Sequence, residues 1–162
     1  MTAYMFRAPA GVAGDITRPD DTIVESAMID PTGAPQNFGC AVKMVLGKIK
    51  AMTTGDTADK FYGVLSRVAP SISGDLASGL GDGKPNPAAP QGVVVKGYVN
   101  VKCAVGEPLR GDPVYVRVTA ATGKNVGDFE ANSDGANSVK LENVIWAVAG
   151  KDENGLSEIR IG

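Results

Sequence analysis

The stretch from Gly92 to Thr119, GVVVKGYVNVKCAVGEPLRGDPVYVRVT, constrains the fold more than any other part of the chain. Val93, Val95, Gly97, Val99, Val101 and Cys103 share one parity, and Val94, Lys96, Tyr98, Asn100 and Lys102 share the other. That is the period-two signature of a strand with one buried face. Val114, Val116 and Val118 alternate in the same way with Tyr115, Arg117 and Thr119. Gly111-Asp112-Pro113 supplies the turn before this second strand and leaves Pro113 at its first residue, where no ladder donor is required. The pattern predicts two adjacent strands sharing a valine-rich face, with Trp146, Val148, Ile159 and Ile161 completing the core.

Glycine and proline together make up about a fifth of the 162 residues, well above the usual ~12%. This favours many short elements and turns over long helices. The expectation is an all-β chain: a single compact antiparallel β-barrel or sandwich, jelly-roll-like, with an extended N-terminal arm over residues 1–20 and a β-domain over 21–162. The net charge is −2 and charges of both signs are spread along the chain, so no basic footprint points to nucleic acid or to an anionic membrane. No apolar run approaches the ~18 residues of a membrane span, and the N-terminus MTAYMFRAPAG lacks the apolar centre of an export signal. The reading is a soluble protein that is not exported. There is no histidine, which removes the commonest general base, the commonest transition-metal ligand and every Ser-His or Cys-His pair. Cys40 and Cys103 each sit in an apolar strand pattern and read as buried thiols rather than a disulfide. No metal or cofactor is expected.

Taken in order, residues 1–20 have no sustained period, and carry Pro9, Gly11, Gly14 and Pro19 among Tyr4, Phe6, Val12 and Ile16. Such a segment is either a frayed terminus or an arm that orders on a partner. Strands are expected at Ile23 to Ile29, Cys40 to Leu46, Lys48 to Met52 and Phe61 to Ala69. CAVKMVLGKIKAM also threads onto a helix, but Gly47 at its centre costs ~1 kcal/mol relative to Ala and the β-branched content favours strands. From Pro70 to Gly92 the pattern stops in a Gly/Pro-rich exposed loop. Its GLGDGK departs from a phosphate-binding loop, because Pro85 follows Lys84 where a hydroxyl is needed. Short strands follow near Val126–Glu130 and Ser138–Leu141, and a closing hairpin pairs Val144–Ala149 with Leu156–Ile161. Asp128, Glu130 and Asp134 lie close together, yet a solvated turn accounts for them better than a calcium site.

The order of these elements resembles the structural cement, or capsid decoration, proteins of tailed bacteriophages. The similarity rests on the arm APAGVAGDITRP, the segment FYGVLSRVAP, the strand VVVKGYVNVKC, then GDPVYVRVTAATGKNVGDF and the terminus VIWAVAGKDENGLSEIRIG. The resemblance implies a non-enzymatic virion protein, made in the host cytoplasm, that binds the outer surface of the phage head. There it would cement neighbouring major capsid protein subunits and stabilise the expanded capsid. It further implies a homo-oligomer, dimer or trimer, reaching its partner through the arm. Candidate capsid contacts are then Tyr4, Phe6, Pro9, Val12, Ile16, Arg18 and Pro19, with Phe6 and Ile16 as apolar anchors and Arg18 as a charged one. Two other classes compete. A hydrolase built on Asp112, Ser66 and Lys96 has no spacing that sets a base beside a nucleophile. A carbohydrate- or receptor-binding β-sandwich on the virion surface would need exposed aromatics, and Trp146 lies in an apolar strand.

Overall fold

The computed structural model describes residues 11–67 and 84–162. Among these, nine strands run β1 (Ile23–Ala27), β2 (Ala41–Val45), β3 (Lys48–Ala51), β4 (Gly63–Leu65), β5 (Gln91–Val105), β6 (Pro113–Arg117), β7 (Phe129–Glu130), β8 (Ser138–Trp146) and β9 (Leu156–Ile161). The fold is all-β, and its centre is the long strand β5. The rest of the expected loop, residues 70–83, lies outside the described residues; its end is already strand, because Gln91 pairs with Ala27.

β5 belongs to two sheets. Its C-terminal half pairs with β9 and β7, and the order β5, β7, β6, β8, β9 returns to β5 to close a five-stranded barrel. Its N-terminal half lies between β1 and β4, with β2 and β3 beyond β4. The chain leaving β1 meets β3 again through a parallel bridge from Ile29 to Ile49. Two expectations are corrected here. The strands of the central stretch are not adjacent, because the two-residue β7 is inserted between β5 and β6, parallel to β5 and antiparallel to β6. The segments expected as separate strands at 138–141 and 144–149 form one strand, β8, which bulges around Asn143 at φ +59° and ends at Trp146.

The single valine face on β5 is also corrected. Val99, Val101 and Cys103 point into the barrel core, but so does Val94, of the opposite parity, while Val93 faces a second core. The switch occurs at Gly97, whose φ is +110°. A Cβ there would lie 2.4–2.6 Å from atoms of Asp21 and Thr22, so both the twist and the close approach of the preceding chain require glycine. The start of β2, all of β4 and the start of β5 are buried on both faces, as continuous apolar runs usually are. Ala41, Val64 and Val94 close the barrel core with Val114, Val116, Phe129, Trp146 and Ile159, while Val42, Leu65 and Val93 build the second with Ile29, Phe38 and Ile49. Val95 and Val148, expected in the core, are only half-buried. Each fully buried Val or Ile is worth about 1.5–3 kcal/mol relative to exposure.

Candidate functional site

The segment from Gly11 to Thr22 lies along β5. Gly14 N donates to Asn100 O at 2.8 Å and Asn100 N to Asp15 O at 2.9 Å, while Arg67 N donates to Gly14 O at 2.9 Å. Gly14 fits because it has φ +92° and no side chain; a Cβ would sit 2.8 Å from Arg67 N. Ile16 bridges to Val99 and packs half-buried against the barrel core. Thr17 and Arg18 then converge on Glu158 of β9. The threonine hydroxyl donates to Oε1, and Arg18 Nη2 to Oε2 at 3.0 Å. The Arg18 guanidinium also lies 4.0 Å from the centroid of the Tyr98 ring, within range of a cation–π interaction.

Of the residues singled out in the sequence, then, Ile16 and Arg18 are held by the barrel wall, with Val12 and Pro19 exposed beside them. Ile16 has an intramolecular use that its irregular flanking sequence did not reveal. Tyr4, Phe6 and Pro9 lie outside the described residues. The wall residues next to Arg18, namely Tyr98, Ile145 and Arg160, went unrecognised because they come from three distant strands. Only register aligns them, Tyr98 with Arg160 and Arg160 with Ile145.

The groups considered for chemistry have other tasks. Ser66 is buried and its hydroxyl donates to Gly92 O at 2.9 Å. Lys96 is exposed in the middle of β5, and Asp112 is exposed in the turn before β6. Asp128 accepts from Asn125 N at 2.9 Å, whereas Glu130 and Asp134 both pair with Arg117. Among the described residues no group of three acidic or cysteine side chains could hold a metal ion. Both cysteines are buried and unpaired. Burial and then the charge of Asp128 push the Cys40 thiol up to about 12, and burial also raises Cys103, so neither is a thiolate nucleophile near neutral pH. Trp146 is fully buried in the barrel and offers no platform to a sugar.

The docked segment, the closed barrel and the second core beside it are held by backbone pairing, apolar packing and ion pairs such as Arg18–Glu158 and Arg117–Glu130. The family model described as structural cement protein (E217 gp24/Pam3 gp6) matches residues 1–162. The chain belongs to this family of phage structural cement proteins. Among solved structures, a chain from "The capsid of Myoviridae Phage XM1" superposes with a TM-score of 0.72 at 17% identity, covering 99% of this chain and 95% of that one. At that identity the likeness is one of fold. Comparison with curated proteins finds no match.

Proposed function

We propose that this protein binds the outer surface of the phage head, ties neighbouring major capsid protein subunits together and so stabilises the expanded lattice. The observation that carries the reading is the family match over the whole chain. The physical logic is mass action. A ligand that binds only the expanded state stabilises it by RT ln(1 + [L]/Kd), about 2.7 kcal/mol per site at a hundredfold excess over Kd. A stiff double-cored barrel loses little conformational freedom on docking, which leaves more of the contact energy for attachment. Tyr4, Phe6 and Pro9 are the further capsid contacts in this reading, together with Val12, Arg18 and Pro19, which are exposed on the docked segment. Assembly as a dimer or trimer would match a local symmetry axis of the lattice.

The test is to add the purified protein to expanded heads that lack it and to follow their thermal disruption by light scattering. The midpoint should rise with protein concentration and then saturate. A midpoint indifferent to the protein at saturating concentration would refute cementing.

A further inference from the structure

Three of the five described arginines, Arg18, Arg110 and Arg160, line one pocket on the outside of the barrel, together with Tyr98 and Ile145. They arrive from separate parts of the chain. Arg160 on β9 stands between Tyr98 of β5 and Ile145 of β8 in register, on the face opposite to the buried Val99, Ile159 and Trp146. Arg18 reaches over Tyr98 from the docked segment. Arg110 comes from the turn before β6, which is pinned to the end of β8: Gly111 N donates to Trp146 O at 2.8 Å and Trp146 N to Asp112 O at 3.0 Å. The pocket encloses about 110 Å³.

The acid facing this group from β9 is Glu158, already engaged by Thr17 and Arg18. Among the described residues, Arg110 and Arg160 have no acidic partner within 4.0 Å. Gathering guanidinium groups in a chain of net charge −2 costs repulsion that an anion would relieve. The planar forks of arginine suit a carboxylate, whose two oxygens accept paired N–H donors. Ile145 in the pocket lining suits the methylene stem behind it, and exposed Leu109 beside Arg110 offers an apolar contact to a neighbouring residue.

We propose that this pocket is the docking site for an acidic side chain on the surface of the head, an aspartate or glutamate of a major capsid subunit. The identity of the partner rests on the cement reading above; the carboxylate chemistry rests on the pocket. A protein carboxylate is favoured over a nucleic-acid phosphate backbone because the cations form one compact cluster rather than a stripe along a groove, and the net charge is negative.

The experiment compares the full-length protein with Arg110→Ala/Arg160→Ala and Arg110→Glu/Arg160→Glu in two assays. One is co-sedimentation with expanded heads lacking the protein, at low and raised salt. The other is titration with a glutamate-rich peptide, its glutamine analogue and a short single-stranded DNA. Both arginines are exposed, so melting temperatures should stay unchanged. Head affinity should fall roughly tenfold or more for the alanine pair and further for the glutamate pair, with a flatter salt dependence. The glutamate peptide should bind the wild type alone, and its glutamine analogue should not bind. Variants that bind heads as tightly as wild type with the same salt slope would overturn the site and leave cementing intact. Wild type that ignores heads but binds the glutamate peptide through these arginines would refute cementing and keep the site. DNA binding in place of peptide binding would overturn the carboxylate assignment.

Discussion

Replacing Arg117 with methionine should be among the most damaging single changes to this fold. Arg117 ends β6 and Glu130 ends β7, and their side chains are 1% and 0% exposed. Arg117 Nε donates to Glu130 Oε1 at 2.6 Å, Nη1 donates to Thr119 O at 3.0 Å, and Nη2 reaches Asp134 in the turn that follows β7. Removing the guanidinium takes from the fully buried Glu130 the donor to its Oε1, while its Oε2 already has no hydrogen-bond partner among the described residues. Breaking a buried pair from one side costs about 3–5 kcal/mol. At about 2–4 °C per kcal/mol for a domain of this size, Arg117→Met should lower the melting temperature by about 6–20 °C. The double variant Arg117→Met/Glu130→Leu, which removes both charges and fills a similar volume, should recover most of that loss. Calorimetric or circular-dichroism melts at pH 7 decide the matter. A single variant melting within about 2 °C of wild type, or a double variant falling as far as the single, would refute the argument that the uncompensated charge is what hurts.

Three further outcomes follow from particular residues. Burial raises the Asp128 carboxyl above its ordinary value, against the opposing Asn125 N–H and the charges of Lys102 and Arg117; a raised carboxyl costs stability above its unfolded pKa. Asp128→Asn should therefore melt higher than wild type at pH 7, with the gain vanishing in melts below about pH 4, and an equal difference at both pH values would contradict this. Leu46, at φ +50° and 98% exposed in the two-residue turn between β2 and β3, buries nothing and sits in the left-handed region; Leu46→Asn should gain about 1 kcal/mol, or 2–4 °C, whereas a lower melting temperature would mean that the leucine packs. Deleting residues 1–18 removes Ile16 from the core and both donors from buried Glu158; the loss should be at least about 1–3 kcal/mol, roughly 2–12 °C, and an unchanged melt would show that the docked segment contributes nothing.

The class of fold was legible because β6, the later half of β5 and the end of β9 alternate apolar with polar residues, and because the turn residues around them are glycine, proline and aspartate. The places where reading failed have specific causes. A parity count carried through Gly97 assumes that a glycine inside a strand changes nothing, while this one has a positive φ and lies where β5 passes from one core to the other. β7 has two residues, too few for any period to register. Arg117 and Glu130 occupy outward positions in their strands and so read as solvated; the turn carrying Asp134 that closes over them is invisible to local patterning. The docked segment was hidden for a related reason: it has no period, and its Gly14 permits close backbone contact with Arg67 and Gly39, which no local pattern announces. The arginine pocket is a matter of register between distant strands, which no linear spacing encodes.

The central claim, that this chain cements the head from outside, is tested most directly by cryo-electron microscopy of virions assembled with and without it. The account predicts barrel-shaped density on the outer capsid surface, bridging adjacent major capsid subunits at a repeated symmetry position and missing from particles that lack the protein. Identical capsid density in the two reconstructions, or barrel density found only on the inner surface or on the tail, would contradict it.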